Sequence, residues 1–278
     1  MRAHNHKTTG GTIMSHLKKI PCALTIGGSD SGGGAGIQAD LKVFAAYGVH
    51  GASAITCITA QNPRAVTGFQ PAGPGIVRAQ IMAVESELRP AAVKTGMLYS
   101  KRAILEVMTW RRSGSSELPL VVDPVMIATS GAKLLRPSAY LPMLELFRLS
   151  TLVMPNVPEA EFIVGMPLGD VENLRSAARL IHRQFGCAAL VKGGHLKGLR
   201  EAVDVFFDGK VELLLTAPYV RGVSTHGTGC TYSAAVTAGL ALGLSLEKSV
   251  VRAKEFISNA ISQSRGVARH SVLNCFWR

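Results

Sequence analysis

No G-x-x-x-x-G-K-[ST] phosphate loop occurs in the 278 residues, so any nucleotide this chain binds is held by another arrangement. No C-x-x-C pair occurs either, which argues against a structural zinc site. The five cysteines, Cys22, Cys57, Cys187, Cys230 and Cys275, are an odd number without regular spacing. That suits reduced thiols better than a disulfide framework, so a cytoplasmic protein is expected. No apolar run approaches the roughly 20 residues that span a bilayer. Residues 1–20 also lack the apolar segment of a secretory signal, so no membrane partner is expected. Aromatics are scarce, at 6%, and no basic stripe is interleaved with them, so nucleic acid is not an expected partner. No low-complexity linker divides the chain; Ser113-Gly114-Ser115-Ser116 is short and reads as a loop.

What is present is a hydrophobic chain, 47% apolar, with a net charge of +12. Much of the excess lies at the ends. Arg2, Lys7, Lys18 and Lys19 stand without an acid in residues 1–20, and Arg252, Lys254, Arg265, Arg269 and Arg278 outnumber Glu255 at the other end. Residues 1–20 therefore read as a disordered basic leader and 21–278 as one domain. Apolar patterning predicts strands at 22–27, 51–59, 91–95, 119–123, 150–154, 187–192, 202–207 and 211–216. It predicts helices at 36–47, 75–88, 100–111, 136–146, 157–164, 170–185, 229–243 and 246–264. Nearly continuous apolar strands such as Leu120-Val121-Val122 are buried on both faces. The alternation predicts an α/β fold, a mostly parallel central sheet covered by helices on both sides. Asp208-Gly209-Lys210 marks a closing hairpin.

Two glycine-rich turns carry the chemistry. The first, Gly27-Gly28-Ser29-Asp30-Ser31-Gly32-Gly33-Gly34-Ala35-Gly36, lies between a strand and a helix. Gly34, Gly36 and Ala39 satisfy a loose G-x-G-x-x-A pattern, but dinucleotide binding also requires a carboxylate at the end of the next strand. That strand ends in Gln61-Asn62, so a nicotinamide cofactor is not expected. The second turn is Thr225-His226-Gly227-Thr228-Gly229-Cys230, followed by a small-residue helix. Its amides and the helix N-terminus form a cradle for an anion, with phosphate the expected guest. Cys230 sits in the same turn, and a helix N-terminus is expected to lower its pKa and make it a base. An anion hole and a base together point to phosphoryl transfer.

The ordered set of motifs from about Ala23 to Ile261 resembles the bacterial hydroxymethylpyrimidine/phosphomethylpyrimidine kinases of the ribokinase-like superfamily. The set comprises Ala23 to Asp30, Gly33 to Lys42, Ala60-Gln61-Asn62, Lys94 to Leu98, Val122 to Met126, Pro155 to Ala160, Val191 to His195 and the Thr225–Cys230 loop. The resemblance implies a three-layer αβα sandwich and an ATP- and Mg²⁺-dependent kinase of thiamine synthesis, and a homodimer is expected. It implies that Gly227, Thr228, Gly229 and Cys230 stabilise the transferring phosphoryl group. Asn156, Lys192 and Thr225 are assigned to ATP and Glu159 to the metal. Asn156 and Glu159 also fit a helix capping box, which is compatible with that role. Gly28, Asp40, Gln61 and Met97 are assigned to the pyrimidine, Gln61 because its amide offers both a donor and an acceptor. Two other readings stay open: a pyridoxal kinase of the same superfamily and a non-catalytic pyrimidine or nucleotide sensor. Past Ser262 the chain departs from the family's usual glycine- and histidine-rich ending, which puts the C-terminal contacts in doubt.

Overall fold

A computed structural model describes residues 19–73, 75–114, 117–128, 131–194, 196, 200–220, 222–223 and 226–277. The expected basic leader and Thr225 therefore fall outside the described residues, except for Lys19 and Ile20 of the leader. In chain order the first half runs β1 (Cys22–Asp30), α1 (Gly36–Ala46), β2 (His50–Asn62), β3 (Ala65–Pro71), α2 (Ile76–Leu88), β4 (Ala92–Thr95), α3 (Lys101–Arg112) and β5 (Leu120–Val122). A 3-10 turn at Pro137–Ala139 leads into α4 (Tyr140–Phe147), then β6 (Leu152–Val153), α5 (Val157–Val164), α6 (Val171–Phe185) and β7 (Ala188–Lys192). The chain continues through β8 (Glu201–Phe207), β9 (Glu212–Pro218), α7 (Thr228–Ala241), α8 (Leu246–Ser262) and a small hairpin, β10 (Arg265–Val267) with β11 (His270–Val272).

Nine strands form one sheet in the order β3-β2-β1-β4-β5-β6-β7-β8-β9. The six strands from β2 to β7 are parallel, and β3, β8 and β9 add antiparallel edges. Alternate side chains feed two cores. Leu24, Ile26, Val93, Leu120, Val122 and Val191 pack under α2–α6, with Ile81, Trp110, Phe147 and Ile181. Ala23, Ala92, Val121, Leu152 and Leu190 face α1, α7 and α8, with Phe44, Ala235 and Phe256. This is the expected αβα sandwich, since the period of two sends each parallel strand's neighbours to opposite layers. The small residues of α7 let it sit buried on nearly every side.

The predicted elements are all present, with ends shifted by a few residues. Missing from the sequence reading are β3 and the β10–β11 hairpin. None of the residues of these three strands is buried, so neither core imposes an apolar pattern on them. The chain leaves β1 to β2 on one side and later to β4 on the other, so a crevice opens beyond their carboxyl ends.

Asp40 is not in that crevice, and its expected role on the substrate is corrected here. It occupies the inward face of α1, between Ile37 and Phe44, and is 1% exposed. Thr25 and Lys94 stand side by side on β1 and β4. Thr25 Oγ1 donates to Asp40 Oδ2 at 2.6 Å, and Lys94 Nζ to Oδ1 at 2.6 Å. Burial works against the Lys94 ammonium, but Asp40 beside it and the further groups Cys230 and Asp123 together hold its pKa above the ordinary value. The carboxylate therefore serves the α1–sheet interface. Asp40→Ala leaves a buried ammonium unpaired and is expected to cost about 3–5 kcal/mol. Asp40→Leu combined with Lys94→Met should recover most of that loss, measured as denaturant midpoints of the three proteins.

Candidate active site

The first glycine turn is built on Asp30, the last residue of β1. Its Oδ1 accepts the amide of Gly32 at 2.8 Å, and its Oδ2 accepts those of Gly34 at 3.1 Å and Ala35 at 2.8 Å. His226 Nε2 lies 3.3 Å from the same Oδ2, which ties the second turn to the first. Burial alone would raise the Asp30 pKa, but the His226 contact and the loop amides outweigh it and hold the pKa below the usual value. The two turns touch closely. Gly227 has φ +81°, and a Cβ there would collide with the carbonyl oxygen of Gly34. Gly36, at φ +58°, leaves room for the carbonyl of Gly28 in the same way.

Gly227 caps α7, so the amides of Thr228, Gly229 and Cys230 stand in its first turn. The Thr228 hydroxyl is buried with no hydrogen-bond partner among the described residues. Cys230 departs from expectation. Burial pushes its thiol up to about 11, and the attraction of Lys94 does not offset this. The thiol therefore keeps its proton at neutral pH in the ligand-free protein, because desolvating the thiolate costs more than the nearby charges return.

Lys192, at the end of β7, donates to Asp123 Oδ1 at 2.9 Å. Ser233 of α7 donates to the other oxygen at 3.1 Å, so Asp123 joins the sheet to the helix under Gly229. Next to this pair, Asn156 and Glu159 form the expected capping box at the start of α5. Glu159 Oε2 accepts the Asn156 amide at 3.0 Å and Oε1 that of Met126 at 3.2 Å. Burial raises Glu159 to about 7, with Asp123 adding to the rise and Lys192 opposing it. No group of three or more His, Cys, Asp or Glu side chains suited to a metal occurs among the described residues.

One cavity of about 290 Å³ joins these parts. Gly28, Gln61 and Met97 line one end; a Cβ at Gly28 would come 2.8 Å from Met97 Cε, so glycine lets the methionine lie across the floor. The middle holds Asn156, Glu159, Lys192 and the run Gly227–Cys230. The far end runs between β9 and α8, past Pro218, Tyr219 and Ile257, with the buried Lys254–Asp204 pair beneath it. Of the residues singled out in the sequence, only Asp40 stands apart among those described. Asp30, Asp123, His226 and Lys254 went unassigned. Asp123 sits at the carboxyl end of a predicted strand and Asp30 three residues past the end of another, the one signal that points to them.

Phosphoryl transfer needs positioned donors and neutralising cations rather than any one loop motif. Backbone donors at a helix start, with lysine and carboxylates beyond the ends of a parallel sheet, are parts that such a transfer can use. The family model for phosphomethylpyrimidine kinase matches residues 30–273. The hydroxymethylpyrimidine/phosphomethylpyrimidine kinase of Rhizobium meliloti (strain 1021) is 48% identical over 259 residues, covering 89% of this chain and 96% of that protein. This chain belongs to the phosphomethylpyrimidine kinase family. The crystal structure of phosphomethylpyrimidine kinase from Clostridium difficile 630 superposes with TM-score 0.76 at 41% identity, over 87% of this chain and 99% of that one. The ADP complex of Bacillus subtilis pyridoxal kinase gives TM-score 0.83 at 35% identity, over 92% and 97%.

The raised thiol pKa has a direct test. The other four cysteines are buried, so Cys230 is the one accessible to reagent. Its alkylation by iodoacetamide, followed by mass spectrometry, should accelerate about tenfold per pH unit from pH 7 to 10, because only the thiolate reacts. A plateau below pH 8 would show that the thiolate is already formed.

Proposed function

We propose that this kinase transfers the γ-phosphoryl group of ATP to the hydroxymethyl oxygen of 4-amino-5-hydroxymethyl-2-methylpyrimidine, and then a second phosphoryl group to the monophosphate, in thiamine synthesis. The observation that carries this reading is that one cavity is lined by a hydrogen-bonding amide, an amide-rich turn, a lysine and the apolar residues Ala217, Pro218 and Ile257. The pyrimidine lies against Gly28 and Met97 with its amino edge toward Gln61. The adenine lies in the trough between β9 and α8. The phosphates meet at Gly227, Thr228, Gly229 and Cys230, where backbone donors aim at the charge that develops in transfer. Lys192 and Asn156 hold the ATP phosphates, and Thr225 is assigned to them on sequence alone.

In the transfer, the acceptor oxygen bonds to the γ-phosphorus while the bond to the bridging oxygen breaks and ADP leaves. The hydroxymethyl proton passes to the Cys230 thiolate. That form is a minority at neutral pH, which a loose transition state tolerates because it asks little of the base. Mg²⁺ fits beside Glu159 and Asp123. An ion that takes one or two carboxylates and fills its shell with water and phosphate oxygens needs no protein cage, and none is present among the described residues. When bound, it would neutralise phosphate charge. Free thiols at all five cysteines support a cytoplasmic setting. Ile58, 56% exposed beside the edge strand β3, supports a homodimer, which light scattering would test.

Turnover of ATP with the aminopyrimidine, its monophosphate and pyridoxal, measured side by side, tests the substrate. Robust activity on pyridoxal alone would move the assignment to a pyridoxal kinase. Cys230→Ser should lower kcat on the order of 10²-fold with little change in the KM for ATP, and should flatten the rise of kcat toward alkaline pH. An unchanged rate and profile would make Cys230 a packing residue.

Glu159 gives a second pH effect. A proton competes with the metal for its carboxylate, so affinity falls as pH drops through about 7. Apparent Mg²⁺ affinity is expected to be about tenfold weaker at pH 6 than at pH 8, and Glu159→Gln should remove that difference. Equal pH dependence in both proteins would place the metal elsewhere.

A further inference from the structure

The pyrimidine end of the cavity contains a proton-counting conflict. Thr59, on β2, is 3% exposed, and its hydroxyl faces two oxygens. Its Oγ1 lies 2.9 Å from the main-chain oxygen of Ser29 and 3.2 Å from Oε1 of Gln61. A hydroxyl has one hydrogen to give. The Ser29 carbonyl can only accept, and it makes the shorter contact. Gln61 has a choice, since turning its terminal amide over exchanges oxygen and nitrogen at almost the same positions. With the Thr59 proton committed to Ser29, a Gln61 oxygen facing Thr59 would set two acceptors against each other. A Gln61 NH₂ facing Thr59 donates into the lone pair left on Oγ1, and every group is satisfied.

The backbone of Gln61 is held in place. Ser31 Oγ donates to its main-chain oxygen at 2.7 Å and accepts its amide at 2.8 Å, so the backbone is clamped to the first glycine turn from both sides. Ser29 is held in turn by Gln38, whose Nε2 donates to Ser29 Oγ at 2.7 Å and whose Oε1 accepts the Asp30 amide. The terminal amide has its one described side-chain contact at Thr59, so Thr59 is placed to decide which way that amide faces.

We infer that Thr59 is a specificity-determining residue: by accepting from the Gln61 NH₂ it turns the Gln61 carbonyl oxygen toward the cavity and selects a ring bearing an exocyclic amine. An aminopyrimidine donates from that amine and pairs with the oxygen. The 3-hydroxyl oxygen of a 3-hydroxypyridine such as pyridoxal is an acceptor once ionised, and it meets another acceptor there. Thr59 acts through Gln61, so it is a positioning residue. The inference rests on the proposed pyrimidine site and deepens it.

The experiment is calorimetric binding of 4-amino-5-hydroxymethyl-2-methylpyrimidine and of pyridoxal to the wild type, Thr59→Val and Thr59→Ser, with ATP binding and melting temperature as controls. Valine keeps the shape and removes the hydroxyl; serine keeps the hydroxyl. The wild type should favour the aminopyrimidine. Thr59→Val should reduce that preference by about tenfold or more, the scale of one mismatched hydrogen bond, with ATP affinity unchanged. Thr59→Ser should preserve it. If Thr59→Val does not fold, Thr59→Ala replaces it; it also lacks the hydroxyl and should reduce the preference in the same way. A preference that survives removal of the hydroxyl, or that falls equally in Thr59→Ser, overturns the inference alone. A wild type that binds no aminopyrimidine, or prefers pyridoxal, overturns the proposed function as well.

Discussion

The carboxylate of Asp30 is the constraint on which the site depends. A chain leaving a parallel strand exposes several amides at once, and a tight glycine turn cannot satisfy them with its own carbonyls. Asp30 accepts three of them and also meets His226 from the far end of the chain. One side chain therefore shapes the first turn and docks the second upon it. The collision that any Cβ at Gly227 would have with Gly34 shows how close that docking is. The start of α7 lines the cavity with the first turn packed against it.

Three lysine–aspartate pairs stand at the cavity or behind it: Lys94 with Asp40 outside its lining, and Lys192 with Asp123 and Lys254 with Asp204 in the lining. Each pair joins different elements. The first links α1 to β4, the second the ends of β5 and β7, and the third β8 to α8. Asp204 also accepts the Gly193 amide at 3.0 Å, which secures the turn just after Lys192. Buried pairs of this kind add little net stability, since desolvation consumes most of the attraction. What they supply is position. A lysine held by an aspartate keeps a fixed place in the fold, which a solvated lysine on a flexible stem does not.

Much of this was legible in the residues. Strand and helix positions followed from periods of two and 3.6, and the predicted helix at 157–164 coincides with α5. Both glycine turns were found because glycine clusters between a strand and a helix have few other uses. β3 and the terminal hairpin were missed because exposed strands carry no apolar pattern to read. Asp40 was placed on the substrate because its motif resembles a binding segment. Yet its spacing from Ile37 and Phe44 already marks the inward face of α1, where a charge signals a buried partner. Cys230 was read as an acidified thiol from the helix start alone, and burial reversed the direction.

Local order is what the sequence by itself determined: which segments are strands, where the chain turns on glycine, and the succession of motifs that mark the family. These depend on backbone conformation and on neighbours a few residues apart, so they are written in spacing. Tertiary structure alone decided which of the acids is spent in the core and which faces the cavity, and whether Cys230 holds its proton. It also decided that residues nearly 200 positions apart, Asp30 and His226, close one site. Ionisation and hydrogen-bond partners depend on what surrounds a group in space, and a one-dimensional pattern does not carry that information.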